Sequence, residues 1–150
     1  SGDKLTDAAL KQLAKPENTD KRFFLWVHYV DPHADYLKHE GGPNFGSGAR
    51  DSYDGEVAFV DKQVGRIFDA IEAAPWGKRT AIVLTSDHGE CFGEHGMWRH
   101  GFELWETLMR VPFLLHVPGL AAKRVAPRRS AIDVVPTLIR SIAAGTPGAP

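Results

Sequence analysis

One sequence feature most restricts the fold of this 150-residue chain: short apolar runs alternate along it with segments whose apolar residues have helical spacing. Three short runs are mainly apolar and show little alternation with polar residues: 23–30, 80–85 and 113–117. Such runs are typical of strands that are buried on both faces. Helical spacing of apolar residues is found in four other segments: from about residue 5 to 13, 51 to 74, 103 to 108 and 133 to 144. The alternation predicts an α/β fold, with helices layered on a central, mostly parallel sheet.

Residues 1–150 are predicted to form a single α/β domain. A chain of this length buries roughly 68–70% of the surface that its unfolded form exposes, so it needs neither disulfides nor a structural metal to fold. Its one cysteine, Cys91, excludes an internal disulfide and is interpreted as a partly buried spectator. Residues 146–150 are predicted to be a frayed tail.

Composition argues against a nucleic-acid partner and against a membrane-spanning segment within this chain. The net charge is −1, and the one dense basic stretch, residues 123–129, contains no aromatic residue on which a base could stack, so we expect no nucleic-acid partner. No apolar run approaches the roughly 18 residues that a membrane-spanning helix needs, so we expect no such segment in this chain. The sequence assigns no compartment, and a periplasmic, secreted or membrane-anchored parent protein is compatible with it.

Reactive side chains follow two of the predicted strands. Residues 23–30 lead into Asp31 and His33, and residues 80–85 lead into Asp87 and His88. The carboxyl ends of parallel strands meet at one edge of a sheet, where ligands bind. The loop at residues 31–50 has no periodicity, and loops of that length are usually functional or disordered. A second, glycine-rich loop at residues 89–101 adds His100.

Asp87 and His88 are the best metal candidates, because a carboxylate and a neutral imidazole are ligands that divalent cations accept. The dipeptide alone leaves open that Asp87 caps a turn and that His88 is an ordinary histidine. His33 and His100 carry the same two interpretations. The remaining histidines are assigned to structure or surface: His28, His39, His95 and His116.

An ordered series of motifs adds to these residues. It consists of Phe24-Leu25-Trp26-Val27-His28-Tyr29-Val30-Asp31-Pro32-His33, Tyr53-Asp54-Gly55-Glu56-Val57 with Val60-Asp61, Thr85-Ser86-Asp87-His88-Gly89-Glu90, Gly93-Glu94-His95-Gly96, His100-Gly101, Arg110-Val111-Pro112 and Asp133-Val134-Val135-Pro136-Thr137-Leu138. From about residue 23 to 145 the chain resembles the sulfatase family of the alkaline-phosphatase-like superfamily.

The resemblance implies a sulfuric ester hydrolase that depends on a divalent cation, with calcium favoured and manganese, magnesium or zinc as alternatives. By position, Asp87 and His88 look like metal ligands, His33 like the histidine that contacts the ester oxygens, and His100 like the residue that stabilises the leaving group. All four are then expected to face one cleft. The substrate implied is a sulfate or phosphate ester.

Two parts of the family pattern do not occur between Ser1 and Pro150. These are a paired aspartate on the first strand and a Cys-x-Pro-x-Arg or Ser-x-Pro-x-Arg segment that carries the nucleophile. The chain thus resembles the carboxyl-terminal part of a sulfatase catalytic domain, incomplete and inactive alone, with the upstream half of the parent domain as its partner. The alternatives are a phosphate or phosphonate ester hydrolase, a phosphoethanolamine transferase, and a non-catalytic anion- or metal-binding module.

Overall fold

The computed structural model describes residues 1–144, so the predicted tail at 146–150 lies outside the described part. The helices are α1 Gly2–Leu13, α2 Ala49–Ala73, α3 Glu106–Met109 and α4 Val134–Ala144. The strands are β1 Ile82–Thr85, β2 Cys91–Phe92, β3 Trp98–Arg99 and β4 Phe113–His116. The chain divides into two compact units, one made of Ser1–Lys78 with Ser86–Val111, and the other of Arg79–Thr85 with the residues from Pro112 onward.

Helices α1 and α2 pack together in the first unit. Ala9 and Leu13 are four positions apart on α1 and are buried together with Ile67 of α2 and Trp76, which follows α2. The ring of Phe23 meets the ring of Trp76 edge-on, with centroids 5.0 Å apart. This small apolar cluster holds the two helices to each other.

Helix α2 confirms the predicted helix at 51–74, displaced by two residues at its start and one at its end. The carboxylate of Asp51 accepts a hydrogen bond of 2.8 Å from the Gly48 backbone N–H, which caps the first turn. The fully buried residues of α2 are Glu56, Gln63 and Ile67, so most of the apolar residues with helical spacing are only partly buried. Val57 and Phe68 among them are 43% and 41% exposed.

Residues 23–30 do not form the predicted strand, and no described segment pairs with their backbone in a sheet. Val27 and Tyr29 pack against the apolar cluster of α1 and α2. Phe24 and Trp26 are 79% and 74% exposed. The segment therefore places alternate side chains on the core, but without a neighbouring strand it has no ladder of hydrogen bonds and is not buried on both faces.

The prediction of parallel strands is wrong for the strands that form. β1 pairs with β4 antiparallel, with Thr85 opposite Phe113 and Ile82 opposite His116. β2 and β3 form a second antiparallel pair within the glycine-rich loop at residues 89–101. Among residues 1–144 both sheets are two-stranded. The chain leaves β1 and returns into β4 at the same end, so the pair has the geometry of a hairpin with a long connection.

The second unit contains β1, β4 and α4. Helix α4 confirms the prediction for residues 133–144 and begins one position later, after a 3₁₀ turn at Ala131–Asp133. None of residues 79–85 and 112–143 is fully buried. Val135 and Ile139, one turn apart on α4, are each 62% exposed. Within residues 1–144, the structure has no helix of the length and apolarity needed to cross a bilayer.

The burial of Leu13 predicts that its side chain contributes to the stability of the first unit. Leu13→Ala should lower the free energy of unfolding by about 2–5 kcal/mol, because it removes side-chain volume from the packed interface of α1 and α2. Leu104→Ala is the matched control in the same unit, since Leu104 is 80% exposed, and it should stay within about 0.5 kcal/mol. Denaturant unfolding measures both values, and equal losses would contradict the packing described.

Candidate functional site

The turn that carries Asp87 and His88 is held by the glycine that follows them. The Gly89 backbone N–H donates a hydrogen bond of 2.7 Å to the carbonyl oxygen of Leu108 in α3. A Cβ at position 89 would overlap the carbonyl oxygen of Thr107, so only glycine allows this close approach. The two candidate ligands are therefore positioned by the backbone contact of Gly89 with α3.

Three histidines from distant parts of the chain meet in the first unit. The rings of His88 and His100 have centroids 4.2 Å apart, and those of His33 and His100 are 5.4 Å apart. We call His33, His88 and His100 the histidine cluster. His100 lies between the other two, and Asp87 lies beside His88. The structure thus brings together the four residues that the sequence analysis singled out.

All three imidazoles are held through the same ring nitrogen. The Nδ1–H of His33 donates to the carbonyl oxygen of Ala34 at 2.7 Å, and that of His88 donates to the carbonyl oxygen of Gly89 at 2.8 Å. Nδ1 of His100 is 3.2 Å from the carboxylate oxygen Oε1 of Glu90. Because an acceptor fixes each Nδ1–H, the three Nε2 atoms are left for a ligand, a metal or a proton.

Glu90 connects the histidine cluster to the loop at residues 31–48. Its side chain is 4% exposed. Its Oε1 faces His100, and its Oε2 accepts a hydrogen bond of 2.8 Å from the hydroxyl of Tyr36. The buried Glu90 carboxylate beside Nδ1 therefore holds the His100 ring in one orientation.

Two tyrosines surround Glu90. Burial, followed by the hydrogen bond to Glu90 and its negative charge, raises the pKa of Tyr36 far above the ordinary value for a phenol. Burial and the charges of Glu90 and Asp54 also raise the pKa of Tyr53. The Tyr36 and Tyr53 rings meet edge-on with centroids 5.6 Å apart. Sequence reasoning missed Tyr36, and nothing in its local pattern indicates a contact with a residue 54 positions away.

Asp87 is ionised at neutral pH, as a metal ligand must be. Partial burial acts to raise its pKa, but its own backbone N–H, the imidazole and backbone N–H of His88, and the imidazole of His28 together hold the pKa below the usual range. Its Oδ2 is 3.8 Å from Nε2 of His88, a separation at which both atoms can bind one cation. The two side chains are 71% and 42% exposed, which leaves the pair open to an approaching ligand.

The donor set fits a divalent cation only in part. Asp87 and His88 supply two ligand atoms, where calcium takes about 6–8 and zinc about four. Among residues 1–144 the one group with three or more donor atoms close enough to share an ion is a different one, Asp31, His39 and Glu56. The sequence pattern gives no reason to count His39 among the metal ligands, and it is interpreted as structural or surface-exposed. The position of Glu56 does indicate a buried charge, because helical spacing puts it on the same face as Gln63 and Ile67.

Comparison with known proteins identifies the family of this chain. The sulfatase family model matches residues 1–142, so the chain belongs to the sulfatase family. That family has an alkaline-phosphatase-like α/β fold, whereas the described residues form helices and small antiparallel sheets rather than a layered parallel sheet.

Three relatives illustrate the similarity. Iduronate 2-sulfatase of Mus musculus is 40% identical over 49% of this chain and 13% of its own length. A sulfatase of Formosa agariphila is 38% identical over 55% of this chain and 16% of its own. Choline-sulfatase of Rhizobium meliloti is 32% identical over 60% of this chain and 17% of its own. The chain therefore spans a small part of each relative. No solved structure gives a significant match.

The raised pKa values predict how the tyrosines titrate. Near pH 10 the native chain should release fewer phenolic protons than the chain unfolded in guanidinium, because Tyr36 and Tyr53 resist ionisation only when folded. A raised folded pKa contributes stability below the unfolded value of 10.0, and this contribution is lost as pH rises through the folded pKa. Ultraviolet absorbance measures the titration.

Glu90→Gln provides the control for this titration. It removes the negative charge but keeps an oxygen that can accept from the Tyr36 hydroxyl. The midpoint of the late phenolic transition should move to lower pH in this variant. Native and unfolded chains that titrate identically would contradict the buried arrangement of the two tyrosines.

Proposed function

We propose that this chain forms part of a metal-dependent hydrolase of sulfate esters. The observation that carries the proposal is the histidine cluster, in which three imidazoles have Nδ1 tied to protein oxygens and Nε2 available. With Nδ1–H donated to a protein oxygen, a protonated imidazole can donate its Nε2–H to a tetrahedral anion, and membership of the sulfatase family favours sulfate as that anion.

His33 and His100 are proposed to act on the ester directly. His100 would protonate the departing oxygen through Nε2, because the Glu90 carboxylate 3.2 Å from its Nδ1 holds the ring in one orientation. His33 would donate its Nε2–H to a non-bridging ester oxygen when it is protonated. The edge-on contact of the two rings keeps both groups on one side of the substrate.

Asp87 and His88 are proposed to hold the divalent cation, with calcium favoured among sulfatases and manganese, magnesium or zinc as alternatives. When bound, the cation would supply positive charge where negative charge develops in the transition state. The lowered pKa of Asp87 keeps its carboxylate ionised, and the hydrogen bond from the Nδ1–H of His88 to the Gly89 carbonyl oxygen makes Nε2 the ligand atom of the imidazole. The remaining ligands would come from outside this pair.

The nucleophile is proposed to lie outside residues 1–150. Cys91 cannot supply it, because it is 0% exposed, its thiol contacts the Thr107 hydroxyl at 3.1 Å, and it lacks the Cys-x-Pro-x-Arg pattern. A parent reading frame is expected to encode an Asp-Asp pair and a Cys-x-Pro-x-Arg or Ser-x-Pro-x-Arg segment upstream of this chain. A parent frame without them would favour a non-catalytic binding module.

The organic part of the substrate is proposed to contact the loop at residues 31–48. A cavity of about 400 Å³ is lined by Tyr36 and by Ala49 at the start of α2, with Trp98 and Arg99 of β3 on another side. Tyr36 also contacts Glu90, so the cavity adjoins the histidine cluster. An aromatic face together with a cation suits a flat or negatively charged group.

Anion binding tests the proposal on the chain itself. Histidine side-chain NMR signals should shift on titration with sulfate, and His100→Gln should weaken the binding. His116→Gln, in β4, is the matched control and should leave it unchanged. Phosphate that binds more tightly than sulfate would favour a phosphate ester hydrolase. Signals that respond to sulfate no more than to chloride at equal ionic strength would reject the proposed site.

We predict that the purified 150-residue chain does not turn over an aryl sulfate. Catalysis through a covalent intermediate loses its first step when the nucleophile is absent. Release of the phenol is followed by absorbance, with a complete sulfatase as the positive control. Steady hydrolysis that Asp87→Ala abolishes would overturn this prediction.

Calcium binding at Asp87 and His88 should be weak. Two protein ligands leave most of the calcium coordination shell to water. Calorimetric titration with calcium should therefore detect no binding of micromolar or higher affinity at this pair. Asp87→Asn shows whether any heat that is observed comes from this site. Tight binding that depends on Asp87 would show that further ligands of this chain complete the site.

A further inference from the structure

A second group of potential metal ligands lies apart from the histidine cluster. It contains Asp31, His39 and Glu56, with one ligand atom from each lying within 4.8 Å of the other two. Asp31 and His39 belong to the loop at residues 31–48, and Glu56 belongs to α2. We call these three residues the Asp-His-Glu group.

Glu56 is the most deeply buried charged residue described in the structure, at 2% exposed. Its Oε1 accepts a hydrogen bond of 2.9 Å from the Leu37 backbone N–H and lies 3.1 Å from Nε2 of His39. Within residues 1–144 its Oε2 receives no hydrogen bond, and the Asp31 carboxylate has neither a hydrogen bond nor an ion pair. Two carboxylates therefore meet with acceptor capacity that the described protein groups do not use.

The charges of the group do not cancel. Two carboxylates carry two negative charges, and a protonated His39 would supply one positive charge. No lysine or arginine of the described residues forms an ion pair with Asp31 or Glu56. A divalent cation would neutralise what remains, because buried charges in proteins are either paired with an opposite charge or bound to a metal.

The ligand atoms are held in place without an ion. Phe59 lies three positions after Glu56 on α2, and the His39 ring stacks on the Phe59 ring with centroids 3.7 Å apart and planes 2° apart. On the other side, a Cβ at Gly2 would lie 3.3 Å from Oδ2 of Asp31, so the first turn of α1 closes against that carboxylate. A rigid arrangement of donors reduces the entropy lost on binding.

We propose that the Asp-His-Glu group binds a divalent cation of the zinc class. One imidazole nitrogen with two carboxylate oxygens suits the four-coordinate geometry of zinc, whereas calcium takes about 6–8 ligands and magnesium an octahedral shell. Three protein ligands leave one tetrahedral position for water. The bound ion would connect the loop at residues 31–48 to α2 through Glu56. The competing interpretation is a metal-free ion pair between His39 and Glu56.

Zinc titration of the metal-stripped 150-residue chain distinguishes the two interpretations. Asp31→Asn and Glu56→Gln should each weaken the binding of one equivalent of Zn²⁺ by at least about 10-fold, the lower end of what even an outer-sphere partner contributes. Both variants keep size and an acceptor oxygen. His88→Gln and His100→Gln are the matched controls, because exposed imidazoles also attract zinc, and they should leave this binding unchanged.

A second readout does not depend on the calorimetric fit. Co²⁺ in place of Zn²⁺ should give the visible absorption of a four-coordinate site in the wild-type chain and in the His88→Gln variant, but not in Asp31→Asn. Asp31→Asn decides the test if Glu56→Gln fails to fold, because Asp31 is only half-buried. Absence of zinc binding, or binding lost only in the His88 or His100 variant, would overturn the proposal.

Discussion

Two buried carboxylates hold the loop on which the candidate site depends. Residues 31–48 contain no helix or strand, so their backbone is not positioned by a regular ladder of hydrogen bonds. Instead the Tyr36 hydroxyl donates to Glu90, and the next residue, Leu37, donates its backbone N–H to Glu56. The two carboxylate side chains are 4% and 3% exposed. Adjacent residues of the loop are thus attached to different parts of the same unit.

The geometry of the site follows from this attachment. A buried carboxylate is stable only when donors surround it, so each glutamate selects one arrangement of the loop and disfavours others. Glu90 uses its second oxygen to orient His100, and Glu56 pairs with His39 through the oxygen that also accepts from Leu37. Because His33 lies three positions before Tyr36, the contact that fixes Tyr36 also restricts where His33 can reach. Orientation of the histidines is therefore coupled to burial of the glutamates.

The apolar segments show why pattern alone misleads about sheets. Residues 23–30 have the composition of a buried strand, and Val27 and Tyr29 do reach the core. Composition reports the tendency of side chains to leave water, but it does not report whether a neighbouring backbone is present to form the ladder. The same limit applies to β1 and β4, which were predicted to be strands and are strands, yet run antiparallel. The relative direction of the two strands depends on the path of the chain between them, and the residues of the strands themselves do not specify that path.

The sequence by itself predicted the helices α2 and α4 and the positions of the strands β1 and β4. It also singled out His33, Asp87, His88 and His100, which lie together in the structure. These features depend on local spacing or on contiguous motifs, and both are readable along the chain. Only the tertiary structure decided that Tyr36 and Glu90 support His100, and that Asp31, His39 and Glu56 converge. The physical reason is that these contacts join residues between 8 and 54 positions apart, through a loop without periodicity. Their pairing is set by which carboxylates become buried, and burial is a property of the packed unit.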